Sequence, residues 1–250
     1  LFFPFGDTPR TAQYKPAMTR LLIIANVLVF YFSTDAYTLM HGYKPGAPSW
    51  IDLFISLFLH GSGWHLLGNM VFLWIFGNNV EHRLGKWPFL LAYLASGAVA
   101  TLSFGLLAGD SMTPLVGASG AISGILGLYF VMFPRNKIKV LVMLFPLLVT
   151  VWHVPARIMI GILLVVDNVL PFVAGSSTGV AYAAHIGGFI AGVVVGWFGE
   201  RYGWSPRWIW RAFTGKREII KEVPKTERRD PRSIIIEGEI IDDGDSKKSN

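Results

Sequence analysis

The stretch PLVGASGAISGILG, residues 114–127, decides how this chain is read. It places two serines and four glycines between apolar runs, where a buried or lipid-facing helix ordinarily carries leucine. Small residues at this density let helices approach closely. A hydroxyl among glycines is also a candidate nucleophile. The surroundings decide between a contact face and a reactive group.

Working outward, the chain has 250 residues, of which 52% are hydrophobic and only 15% charged. Its mean hydropathy is +0.48. Soluble domains carry roughly 25% charged residues, so the excess of apolar length predicts an all-α polytopic membrane protein in a lipid bilayer. Cysteine is absent, which excludes disulfides, thiol catalysis and cysteine-ligated metals. Nothing in the pattern calls for a cofactor or a metal. A sequence pI near 9.6 would suggest nucleic acid for a soluble protein. In a membrane chain the basic residues set topology instead, and no nucleic-acid partner is expected. The opening LFFPFGDTPR turns polar within a few residues and lacks a signal-peptide pattern.

Apolar runs at 18–34, 62–80, 87–108, 118–133, 154–172 and 180–199 predict six transmembrane helices, several shorter than a full span of ~20 residues. The run 138–152 is also apolar, but its β-branched residues and Pro146 predict an extended or interfacial segment rather than a seventh span. Charge arbitrates. In a six-span arrangement every Lys and Arg except Lys44 falls on one side, including twelve after residue 200. The positive-inside rule then makes both termini cytoplasmic. Three parts are expected: an N-terminal segment (1–17), a membrane domain (18–200) and a cytoplasmic tail (201–250). The tail opens with Trp204, Trp208, Trp210 and Phe213 interleaved with Arg207 and Arg211, an interfacial anchor. A mixed-charge, disordered remainder follows.

Polar residues inside a bilayer are costly and therefore candidates for function. They are His65 and Asn69 in span two, Ser119 and Ser123 in span four, Asp167 and Asn168 in span five, and His185 in span six. Spans two, four and six run in the same direction, so depth is measured back from Glu81, Pro134 and Glu200 at ~1.5 Å per residue. Ser119 and His185 both come out at ~22 Å, Asn69 at ~18 Å and His65 at ~24 Å. Three helices thus carry Ser, His and His/Asn in one layer. Span four then stops short of the outer surface, and the loop 108–118 must dip inward around a water-filled cavity.

The chemistry follows from that layer. Ser119 is the candidate nucleophile and His185 the candidate general base. Ser119 opens a helix, where unpaired N–H groups and the helix dipole favour an oxyanion. His65 and Asn69, four residues apart, share one helix face and stand as further oxyanion donors. Asp167 is the one intramembrane carboxylate, and no spacing ties it to His185, so a dyad is expected. Gly120, Gly124 and Gly127 on span four face Gly188, Gly192 and Gly196 on span six, two smooth faces that bring the helices together. GASGA is not the nucleophile elbow of soluble hydrolases, and no HExxH is present.

Four motifs occur in order: HGSGWHLLGNM (60–70), EHRLG (81–85), GASG (117–120) and AHIGGFIAG (184–192). With them the chain resembles the rhomboid intramembrane serine proteases over about residues 15–200. The resemblance implies Ser119 as nucleophile, His185 as base, and His65 and Asn69 in the oxyanion hole. It implies structural roles for Gly117, Gly120, Gly188 and Gly192, and a structural ion-pair motif at Glu81 and Arg83. His60 matches a structural histidine. Two departures stand out: Ser123 occupies a position where some members have a tyrosine, and Trp50 is followed by Ile51 rather than arginine. The implied partners are transmembrane protein substrates in a cell's inner or plasma membrane. Two other readings remain: a silent relative that only binds membrane helices, and a small transporter, which the absence of inverted repeats disfavours.

Overall fold

A computed structural model describes residues 2–8, 15–144, 148–175 and 181–204. They lie within a compact unit spanning Leu1–Gly215; a second unit, Lys216–Asn250, lies outside the described residues.

The fold is mostly helical. Strand β1 (Phe2–Thr8) precedes α1 (Ala17–Phe32), which bends by 118° into α2 (Asp35–His41). A short α3 (Trp50–Ile55) follows, and then α4 (Gly63–Phe72). A π-helical turn (Leu73–Gly77) carries α4 into α5 (Asn78–Leu84). Gly85, at φ 84°, ends α5 and starts α6 (Lys86–Ala108). Next come α7 (Ser119–Met132), strands β2 (Lys137–Leu144) and β3 (Leu148–Pro155), and α8 (Ala156–Leu164). A second π-helical turn (Val165–Val169) joins α8 to α9 (Leu170–Val173), and α10 (Tyr182–Tyr202) closes the bundle.

Three stretches are long and apolar enough to cross a membrane: Lys86–Ala108, Ala156–Val173 and Tyr182–Tyr202. The bent pair α1–α2 is a fourth if taken as one span. Helix α7 has 14 residues, so it is only ~21 Å long, short of the ~30 Å hydrocarbon core. This matches the expectation for the Ser119 helix.

Helix α7 sits between α6 and α10, with Gly120, Ala121, Ile122, Gly124, Ile125, Gly127, Leu128 and Tyr129 buried. Three glycines of α7 and α10 come up against backbone. A Cβ on Gly188 would overlap the Gly120 carbonyl, one on Gly192 the Gly124 carbonyl, and one on Gly127 the Phe189 carbonyl. A Cβ on Gly120 would stand 2.6 Å from that of Ala100 on α6. The predicted meeting of the two glycine faces is therefore present, with main chain against main chain.

The all-helical expectation needs correction. The three strands form one antiparallel sheet in the order β1-β2-β3. The segment 138–152 is extended, as its β-branched residues suggested. Along β2, Ile138, Val140 and Val142 are buried while Lys137 is exposed, the period-two pattern of a half-buried strand. The opening segment, expected as part of a plain N-terminal segment (1–17), forms β1, which adds itself to β2. Its anchor is the buried Asp7, whose carboxylate accepts hydrogen bonds from Asn79 Nδ2 (2.7 Å), Tyr129 OH (2.5 Å) and Asn136 Nδ2 (3.3 Å). These partners lie 72 to 129 residues away in sequence, which no local pattern reveals.

Candidate active site

The segment before α7 is held by backbone pairing. Tyr43 and Leu115 form an isolated antiparallel bridge (N–H to O, 3.0 and 2.8 Å), Gly46 N donates to Ser111 O (2.9 Å), and Gly117 N donates to Ser56 O (2.9 Å). Gly117 then takes φ 124°, a conformation side chains rarely adopt, and α7 begins two residues later at Ser119. These links fix the serine at the first position of its helix.

From α10, His185 Nε2 lies 2.8 Å from Ser119 Oγ. Both residues are half-buried. Their elements are the ones locked by Gly120–Gly188 and Gly124–Gly192, so the packing glycines also set the distance between these two side chains. The other ring nitrogen, His185 Nδ1, lies 2.6 Å from Asn168 Oδ1 on the second π-helical turn. In the sequence Asn168 is one of the polar residues of span five and carries no assigned role. A usable signal existed: Asn168 is twelve residues into the helix that starts at Ala156, a depth of ~18 Å in the same layer. Asp167 is exposed and lines the cavity.

His65 and Asn69 project from α4 over Gly117. A Cβ added to Gly117 would come 2.7 Å from His65 Cε1, 2.9 Å from His65 Nε2 and 3.7 Å from Asn69 Nδ2. Only glycine leaves room there. The buried Asn69 is hydrogen-bonded through Nδ2 to His60 Nε2 (3.0 Å), and the His60 and His65 rings meet edge to face at 5.1 Å between centroids.

All four candidates line one cavity of about 1030 Å³, together with Thr113–Val116, Asp167 and Asn168. That volume lies at the upper end for small-molecule sites. Ser123, one turn below Ser119, also lines it and donates from Oγ to Ser119 O (2.8 Å). Among the described residues, no group of three or more His, Asp or Glu side chains is placed to hold a metal ion.

The expected motif at Glu81 and Arg83 divides into two functions. Glu81, fully buried, accepts from the backbone N–H groups of Ala17 (3.0 Å), Met18 (3.0 Å) and Thr19 (2.7 Å) and from Thr19 Oγ1 (2.8 Å). It caps the α1 N-terminus from another helix, because Pro16 at the helix entrance offers no side-chain acceptor. Arg83, two residues on and facing another way, pairs with Glu200 at 3.1 Å. Trp204 donates from Nε1 to Glu200 (2.8 Å); Trp208, Trp210 and Phe213 of the expected anchor lie outside the described residues.

A helical bundle thus presents a serine and a histidine in hydrogen-bond contact within a cavity. A family model described as the rhomboid domain matches residues 47–202. The chain belongs to the rhomboid family. It is similar to the mitochondrial rhomboid protein 1 of Saccharomyces cerevisiae, 34% identical over 166 residues, covering 62% of this chain and 43% of that protein. A putative rhomboid protease of Bacillus subtilis is 34% identical over 137 residues, 49% of this chain and 66% of its own length. The mitochondrial presenilin-associated rhomboid-like protein of Homo sapiens is 26% identical over 197 residues, 74% of this chain and 49% of that protein. The matched parts are therefore less than two thirds of each relative.

Proposed function

We propose that this chain is an intramembrane serine endopeptidase that cuts peptide bonds in or near the transmembrane segments of other proteins. The observation that carries the reading is the 2.8 Å contact between Ser119 Oγ and His185 Nε2. In this reading Ser119 Oγ attacks the scissile carbonyl carbon while its proton passes to His185 Nε2. The oxyanion is met by N–H donors of His65, Asn69 and the first turn of α7. The C–N bond then breaks, His185 returns the proton to the leaving amine, and water hydrolyses the ester left on Ser119. A substrate helix hides its carbonyls in its own hydrogen bonds, so it must unwind locally, which favours small and helix-weakening residues at the cut.

The chain in this reading crosses the bilayer six times with both termini cytoplasmic. Residues 18–200 form the membrane domain between the segment 1–17 and the tail 201–250. The six apolar runs and the one-sided placement of Lys and Arg support it. We assign it to a cell's inner or plasma membrane; because two of the relatives are mitochondrial by name, fractionation of the source cell is the check.

The test is cleavage of single-pass membrane reporters by the purified protein and by Ser119→Ala and His185→Ala, with labelling by a serine-directed phosphonate in parallel. Both variants are expected to lose cleavage and labelling. Cleavage surviving either substitution overturns the dyad. Reporter binding without cleavage or labelling by the unmodified protein favours a helix-binding relative instead.

A further inference from the structure

The bonds around His185 carry more than a dyad. Asn168 Nδ2 lies 3.1 Å from the Leu163 carbonyl oxygen, which can only accept, so this end of the amide is the donor. Its other end, Oδ1, faces His185 Nδ1 at 2.6 Å and is itself only an acceptor. His185 Nδ1 must therefore carry the proton. In a neutral imidazole the second nitrogen is then bare, and Nε2 accepts the Ser119 hydroxyl 2.8 Å away. One carbonyl on α8 thus selects, through Asn168, the tautomer in which His185 can take a proton from Ser119.

The backbone is built for this contact. Asn168 sits in the π-helical turn Val165–Val169, between α8 and α9. Such a turn adds a residue to the helix and rotates the side chains beyond it, and isolated π turns recur at functional sites. Here the neighbouring Asp167 is left exposed on the cavity wall while Asn168 reaches the ring. A neutral amide orients the imidazole without burying a second charge beside it.

We propose that Asn168 is the positioning residue of this site: it holds His185 in its Nδ1–H tautomer and aims Nε2 at Ser119. The inference rests on the serine–histidine reading above. Locking a wrong histidine tautomer costs serine proteases about 10⁴ in kcat. Removing Asn168 leaves the ring free to sample both tautomers, so the expected loss is smaller, about 10- to 100-fold.

The test compares Asn168→Leu, similar in shape but without an acceptor, with Asn168→Asp, which keeps an acceptor oxygen. Reporter cleavage is measured as separate kcat and KM, and the thermal midpoint in detergent verifies the fold. Leu is expected to lower kcat about 10- to 100-fold with KM within about twofold, and Asp to restore most of it. Nitrogen-15 NMR of labelled histidine, assigned with His185→Ala, reads the tautomer directly: Nδ1–H in the unmodified protein and mixed in the Leu variant. Equal kcat for Leu and the unmodified protein, or an unchanged tautomer in the Leu variant, overturns the proposal. If the unmodified protein neither cleaves nor labels, the hydrolase reading fails, and the tautomer measurement alone still decides what Asn168 does.

Discussion

Gly192 and Gly124 meet main chain to main chain: a Cβ on Gly192 would overlap the carbonyl of Gly124 on the neighbouring helix. One turn earlier Gly188 stands in the same relation to Gly120, next to Ser119. The distance between Ser119 and His185 is therefore set by glycine contacts that extend away from the site.

Gly192→Val is expected to wedge α10 from α7. Backbone cannot yield as a side chain does, so the cost should reach or exceed the ~1–3 kcal/mol typical of overpacking. The thermal midpoint in detergent should fall and phosphonate labelling of Ser119 should be lost together. Gly161→Ala on α8, where an added Cβ meets nothing within 4 Å, is the control and should change neither.

Gly117→Ala should act on the site while sparing the bundle. Its Cβ would be driven against His65 at 2.7 Å, and φ 124° is strained for alanine. Displacing an oxyanion donor costs on the order of 10²–10³ in kcat, and His65→Ala should match it. A double variant no worse than either single one would show that both act through the same displaced ring.

Glu81→Ala and Arg83→Ala should separate sharply although the residues are two apart. Glu81 is buried and satisfies three helix-start N–H groups and a hydroxyl, so its loss should cost about 2–4 kcal/mol and fray α1. The Arg83–Glu200 pair has side chains 51% and 34% exposed, so breaking it should cost at most about 1 kcal/mol. Thermal midpoints and hydrogen exchange at Ala17–Thr19 give the comparison.

Asp7→Ala should release β1 from β2. Three donors, from Asn79, Tyr129 and Asn136, lose their common acceptor while staying buried, an expected cost of about 1–3 kcal/mol. Hydrogen exchange should rise along Lys137–Val142, the β2 residues paired with β1, while the rate of Ser119 labelling stays within about twofold. Loss of labelling with an intact sheet would contradict this division.

Much of this protein is legible in one dimension because the relevant patterns are local. Runs of apolar length mark the helices, small residues at helical spacing mark the α7–α10 contact, and depth counted along single helices places Ser119 and His185 in one layer. The extended run 138–152 shows in its β-branched residues. Less visible are features made by distant groups. Glu81 reads in the sequence as part of a local motif with Arg83; that it also caps α1, where Pro16 offers no side-chain acceptor, depends on a distant helix. Counting along the helix gives the depth of Asn168 but not the direction its side chain takes, because its π turn breaks the 3.6-residue period.

The sequence by itself determined the apolar runs, the glycine faces and which serine and histidine are the candidates, since each depends on residue type and spacing along one segment. Only the tertiary structure decided which nitrogen of His185 faces Ser119, that Asn168 holds the other, and that the opening strand completes a sheet around Asp7. Hydrogen bonds are directional and reach about 3 Å. Whether two groups far apart in the chain meet in that range is fixed by how the helices pack and rotate, not by the order of residues along any one of them.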